Sequence, residues 1–283
     1  MVKVIADSTC DLSEELIEKY GITIIPLYIV LGEKEYRDKV EIMPADIYKW
    51  SDENKTTPKT AALSIDDAVK AMMPILEQGD DIVIFSISKD MSSTNNVFRL
   101  ATEELEAEDR ISVIDSANLS TGIGLMVIEA AIMAQAGKSK DEITAVIEGL
   151  KPRVRASFVV DTLEYLHRGG RCSGLAALAG GMLKLHPKIV VKDGAMGADK
   201  KYRGKIDAVI LKYAKEMEAD LLTAKKDRVF ITHSGCDDEV VASVKEYLES
   251  LGYFDEILTT VAGGVISSHC GPGTLGVLYI AGE

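Results

Sequence analysis

Ile82-Val83-Ile84-Phe85, then Ser86-Ile87-Ser88-Lys89-Asp90-Met91-Ser92-Ser93-Thr94-Asn95-Asn96, then a helical pattern to about Glu106: this stretch decides the fold class. Four consecutive apolar residues read as a strand buried on both faces, because a half-exposed strand would alternate with polar residues. A hydroxyl-rich loop leading from such a strand into a helix is the repeating unit of an α/β protein. The loop is also a candidate anion site. Side-chain O–H groups, free backbone N–H groups and the helix dipole converge at the strand's carboxyl end. Capping of the helix by Ser92 or Ser93 would use the same residues without a ligand.

Outward from there the unit recurs. Upstream, Val2-Ala6 is an apolar strand opening into Asp7-Ser8-Thr9, and Ser13 with Glu14-Glu15 starts a helix that Gly21 ends after Tyr20. Thr23–Val30 reads as one β-rich run whose Pro26 marks an edge or a start. Helices are predicted over Pro44–Asn54 and Ser64–Gln78, and the latter is preceded by a second hydroxyl cluster, Thr56-Thr57-Pro58-Lys59-Thr60, which is either a further anion-binding segment or an ordinary turn. Downstream come a strand at Ile111–Ile114 and helices Ser120–Ala136 and Lys140–Leu150. The second half is predicted as a strand at Ser157–Val160 and a short helix Leu163–Arg168 ended by Gly169-Gly170. A helix at Leu175–Leu183 follows, then a hairpin about Asp193-Gly194. Beyond it lie a helix Gly204–Ala219, a strand Val229–His233, a helix Asp238–Leu251, and strands at Glu256–Thr260, Val265–Ser268 and Gly276–Ala281. Pro152, set among basic residues, marks a domain boundary, giving lobes of 1–153 and 154–283.

Bulk properties exclude several classes. A chain of 283 residues, 47% hydrophobic and 27% charged, has the balance of a globular protein with a sizeable core. A net charge of −13 argues against nucleic acid or an anionic membrane surface as the main partner. Leu119–Ala136 is very apolar but carries Glu129 and Gln135, so it reads as a buried helix and not as an integral membrane segment. Met1 runs through a short apolar stretch to Asp7, too short and too soon charged for a signal peptide. The expected location is the cytoplasm, with Cys10, Cys172, Cys236 and Cys270 as reduced thiols.

Nucleotide and metal motifs are missing. Gly271-Pro272-Gly273-Thr274-Leu275-Gly276 has GxGxxG spacing but runs into the strand-like Val277–Ile280, where a dinucleotide fold needs a helix. Gly137-Lys138-Ser139 has Ile132 where a phosphate loop needs its first glycine. His167, His186, His233 and His269 show no ligand spacing, so no metal and no cofactor is expected. No GxSxG elbow occurs, although a hydrolase built from Ser92 and His269 stays open because triads assemble from distant segments. His269 before Gly271-Pro272-Gly273 is read as the end of an apolar strand, where it could donate to an anion or simply be a buried structural histidine.

Seven segments together resemble the DegV family along essentially the whole chain. They are Asp7-Ser8-Thr9-Cys10-Asp11-Leu12, Pro58-Lys59-Thr60, the Ser86–Thr94 loop, Val113-Ile114-Asp115-Ser116 with Gly122 and Gly124, Tyr165–Ser173, Lys201-Tyr202-Arg203-Gly204, and Val265–Thr274. The resemblance implies a two-domain DegV-type α/β fold with a mostly parallel N-terminal sheet covered by helices. It adds a C-terminal α/β lobe with a mixed sheet, and a ligand slot between the lobes. It also implies a bound long-chain fatty acid such as palmitate, its carboxylate held by Thr60 and Ser92 with His269 close by. Ser93, Thr94 and Gly271 would form a secondary head-group region. In this likeness the protein is no free-standing enzyme. It presents the carboxylate to the catalytic subunit of a fatty-acid kinase, which makes an acyl phosphate for phospholipid metabolism, and Arg171 lies on the docking face. A lipid-responsive interaction protein and a Ser/His acyl hydrolase are the alternatives. Two positions depart from the family pattern: Ala61-Ala62-Leu63 replaces a more polar SQP, and Ser93 stands where the family has glycine.

Overall fold

Strand residues alternate between two cores, and that alternation organises the N-terminal half. The computed structural model describes residues 1–173 and 185–282. In chain order the first half comprises β1 (Val2–Asp7), α1 (Glu14–Tyr20), β2 (Thr23–Ile25), β3 (Tyr28–Leu31), β4 (Lys34–Arg37), α2 (Pro44–Asn54), β5 (Lys59–Ala61), α3 (Ile65–Glu77), β6 (Asp81–Ser86), α4 (Thr94–Glu104), β7 (Ile111–Asp115), α5 (Thr121–Gln135) and α6 (Lys140–Leu150). The second comprises β8 (Val154–Val159), α7 (Glu164–Gly169), β9 (Cys172–Ser173), β10 (Leu185–Lys192), β11 (Ala195–Arg203), α8 (Ile206–Glu216), α9 (Glu218–Leu221), β12 (Ala224–Ser234), α10 (Asp238–Ser250), β13 (Glu256–Val261), α11 (Gly264–Cys270) and β14 (Thr274–Ala281). The helix predicted at Leu175–Leu183 lies outside the described residues.

Strands β2-β1-β6-β7 form a wholly parallel sheet. Ile5, Ile82 and Ile84 face α3 and α4 through Met72 and Phe98, whereas Val4, Ala6, Val83 and Phe85 face Ile123, Val127 and Ile143 of α5 and α6. A seven-stranded sheet, ordered β13-β12-β14-β8-β10-β11-β9, is mixed: β12–β13 and β9–β11 are parallel and the rest antiparallel. Helix α5 packs on β1 and β6 of one sheet and on β8 and β14 of the other. Its residues 121–128, with Ala130 and Ala131, are buried on every face, which explains its membrane-like composition, and the last turn, with Ile132 and Gln135, reaches solvent. Among the described residues no helix is long and apolar enough to cross a membrane.

Three expectations need correction. Thr23–Val30 is not one strand. Pro26 and Leu27 separate β2, in the parallel sheet, from β3, which pairs with β4 and β5 in a third, antiparallel sheet. Lys59-Thr60 belongs to strand β5 and not to a turn, because its partner lies thirty residues upstream in β3. Most consequentially, Val265–Ser268 is helix α11 and not a strand, so His269 sits in the last turn of a helix.

Helix α11 is capped by residues from the far end of the chain. The Asp11 carboxylate accepts the Gly263 N–H at 2.7 Å, and Asp38 accepts the Gly264 N–H at 2.7 Å. Both groups would otherwise be orphans of the first turn, and both acids sit at the positive end of the helix dipole. The approach is so close that a Cβ on Gly264 would meet Ile47 Cδ1 at 2.7 Å and Asp38 Oδ1 at 3.0 Å, inside contact distance. Gly264→Ala is therefore expected to destabilise the fold by about 2 kcal/mol, the usual scale of overpacking, as measured by urea unfolding. An unchanged midpoint would show that α2 and β3 can give way.

Candidate functional site

The loop after β6 is held from several sides. Asp7 accepts Thr9 N–H at 2.9 Å and Ile87 N–H at 2.7 Å. Ser88 N–H donates to Asn118 O at 2.9 Å, and Ser88 Oγ to Gly194 O at 2.6 Å, at the predicted Asp193-Gly194 turn between β10 and β11. Lys89 N–H donates to Asp115 at 3.1 Å. These bonds fix Ser92 and Ser93 at the start of α4. Ser92 Oγ lies 2.9 Å from Thr94 Oγ1 and accepts the Thr94 N–H, so Ser92 acts as a local cap, as one reading of the sequence had it. The Ser93 side chain makes no cap bond.

Opposite this loop stand β5 and α11. A cavity of about 310 Å³ lies between them, within the range of roughly 300–1,000 Å³ of small-ligand sites. Thr60, Ser92, Ser93, His269 and Arg171 are its polar lining. Leu27, Ile87, Met91, Leu119, Val265 and Ile266 also line it, with Ala61, Ala62, Met196 and Cys270. A small inner chamber of about 20 Å³ continues past Leu119, Ile266 and Cys270 towards Phe158 and Leu278. Its hydroxyls are already engaged: Thr232 with Thr121 and Thr260, Ser234 with Ser267 and Gly271 O, Thr274 with Cys270 O, Ser120 with Asp11. They need no polar guest. Grooves of about 620 and 630 Å³ also occur, but charged residues such as Lys151, Arg155 and Lys225 line them and they lie away from the hydroxyl loop.

The seven residues expected at the head group or the docking face divide unequally. Thr60, Ser92, Ser93, His269 and Arg171 share the cavity; Thr94 is fully buried behind Ser92, and Gly271 lies against Tyr165 outside the lining. Thr60 Oγ1 and His269 Nε2 are 2.9 Å apart. The imidazole lines the cavity, and its Nδ1 is buried with no hydrogen-bond partner among the described residues. Burial, with the Arg171 guanidinium as a second cause, pulls the His269 pKa down from 6.5 to about 4. The ring is therefore neutral at physiological pH. Among the described residues no bond joins His269 to Ser92 and no carboxylate orients its Nδ1, so they form no Ser92–His269 hydrolase arrangement. Arg171 is exposed and donates to Gly169 O at 2.6 Å.

Sequence reasoning missed the acids beneath the site. Asp7, Asp11 and Asp38 are all buried, and burial pushes the Asp7 and Asp11 carboxyls up to about 6. Asp38 accepts from Ser8 at 2.8 Å, and Lys39 stands 3.6 Å from Asp11. Two acids directly after a buried strand were the available signal. Asp38 offered none, since its partners are remote in sequence.

The family model described as uncharacterised protein, DegV family, matches residues 1–282. The chain belongs to the DegV family. A DegV domain-containing protein of Caldanaerobacter subterraneus is 31% identical over 280 residues, 98% of each chain. Among solved structures, a DegV family protein from Thermus thermophilus described by its fatty acid binding is 32% identical, with a TM-score of 0.91 and 99% of each chain covered. A stearic acid-binding protein from Eubacterium ventriosum is 29% identical, with a TM-score of 0.85, covering 99% of this chain and 98% of that one. The DegV fold expected from the motifs is thus the fold observed.

Proposed function

We propose that this DegV protein binds one long-chain fatty acid, its carboxylate at Thr60 and Ser92 beside His269 and its tail along the apolar wall towards the inner chamber. The observation that carries this reading is a cavity whose lining combines the hydroxyls of Thr60, Ser92 and Ser93 with a set of aliphatic side chains. The solved relatives from Thermus thermophilus and Eubacterium ventriosum, described as binding fatty acid and stearic acid, support it. A buried carboxylate needs several donors, and each hydroxyl contributes on the order of 1–3 kcal/mol. Each buried methylene contributes about 0.8 kcal/mol, so the tail dominates affinity and the head group fixes orientation. Ala61 and Ala62, smaller than the family pattern, widen the wall near Thr60. The two-lobe division at 153/154 belongs to the same proposal, since the parallel sheet uses strands before it and the mixed sheet strands after it.

In this reading the protein is a cytoplasmic carrier subunit. It offers the carboxylate to a separate ATP-dependent kinase, which forms the acyl phosphate used in phospholipid synthesis. Arg171, exposed beside the cavity mouth, would meet that partner. Mass spectrometry of the denatured protein purified from cells should release a fatty acid of palmitate size; no co-purifying acid and no uptake of added palmitate would overturn the proposal. Arg171→Ala is expected to reduce acyl phosphate formation by a fatty-acid kinase while palmitate binding persists. Equal loss of both would assign Arg171 to the lipid site instead.

A further inference from the structure

Gly169 is the last residue of α7, and its backbone lies against the His269 ring. A Cβ added at Gly169 would overlap Nδ1 and come within 3.2 Å of Cε1. That Cβ direction is the direction of a real Cα–H bond, so a Gly169 hydrogen points at Nδ1. A proton on Nδ1 would collide with it and would also be a buried donor without an acceptor among the described residues. A bare lone pair at Nδ1 tolerates the contact. The imidazole proton then belongs on Nε2, where Thr60 Oγ1 stands 2.9 Å away.

We propose that Gly169 is a positioning residue: its hydrogen-only face holds His269 in the Nε2–H tautomer, so that the imidazole donates to Thr60 and the Thr60 hydroxyl proton is committed to the ligand. The proposal deepens the fatty-acid reading and rests on it for the identity of the ligand. A carboxylate offers only acceptors, so a hydroxyl that already receives the imidazole proton is a matched donor. Had the ring carried its proton on Nδ1, Thr60 would donate to Nε2 and turn a lone pair towards the carboxylate.

The test begins with long-range ¹⁵N–¹H NMR on wild-type protein labelled at histidine. An unprotonated Nδ1 and a protonated Nε2 on His269 are expected, whether or not lipid is bound. A protonated Nδ1 overturns the proposal without any variant, and does so even if palmitate is never taken up, so the two readings fail separately. The second measurement is a double-mutant cycle with palmitate as the titrant. Gly169→Ala is expected to weaken binding roughly tenfold, the scale of one misdirected hydrogen bond. In a His269→Gln background, where no atom needs the Nδ1 position, the same substitution should cost less than twofold. An equal loss in both backgrounds overturns the proposal and shows that Gly169 acts on the fold alone.

Discussion

Ala62→Trp is expected to lower palmitate affinity about a hundredfold or more while leaving the melting temperature of the lipid-free protein unchanged. Ala62 follows β5 and lines the cavity beside Thr60 without being fully buried, so an indole can enter the open volume with little cost to the core. The cavity holds only about 310 Å³, and an indole displaces several methylenes of the tail. At roughly 0.8 kcal/mol each, losing about four of them removes ~3 kcal/mol, a hundredfold or more in the dissociation constant. Removing a single hydroxyl, as in Thr60→Val, should be milder, because the tail carries most of the affinity. Calorimetric titration of delipidated protein measures both. Undiminished uptake by Ala62→Trp would mean that the lipid is held elsewhere.

The second large effect is a pH dependence assigned to His269. Burial lowers its pKa from 6.5 to about 4, so the unfolded chain binds the proton more readily than the native one between those values. Its contribution is fully present above pH 6.5 and is lost as pH falls to about 4. At about 1.4 kcal/mol per unit the loss approaches ~3 kcal/mol. The wild-type curve alone would hide it. Asp7 and Asp11, raised from 3.8 to about 6, have the opposite sign: their contribution is present below about pH 4 and is lost as pH rises to 6. The measurement is therefore the difference between wild type and His269→Gln in urea unfolding, taken from pH 7 to pH 4, in which the aspartates cancel. Wild type should lose ground to the variant by roughly 3 kcal/mol on acidification. A flat difference would mean a solvated imidazole.

What could be read from the sequence follows from where each signal's partners lie. Helices α1 and α6 were bounded to the residue, because Ser13 and Ser139 cap their own first turns and Gly21 ends the first. The Asp193-Gly194 hairpin was equally local, both residues having positive φ. Helix α11 was misread because Val265-Ile266 carries a strand's composition while its caps, Asp11 and Asp38, stand more than two hundred residues away. Strand β5 was missed for the same kind of reason. At the site, Thr60, Ser92 and His269 each carried a weak local meaning, and the family resemblance brought them together. The Thr60–His269 bond, the Gly169 contact and the buried aspartates are tertiary facts with no periodic trace.

The remote capping of α11 also orders events in time. The helix bearing His269 leaves the ribosome more than two hundred residues after the side chains that meet its first-turn N–H groups. A nascent or truncated chain ending before residue 264 has the parallel sheet and the hydroxyl loop but neither the imidazole nor the wall formed by Val265 and Ile266. On the proposed function, lipid capture would have to wait until α11 has been made and docked, so a chain stalled before it would leave the fatty acid free.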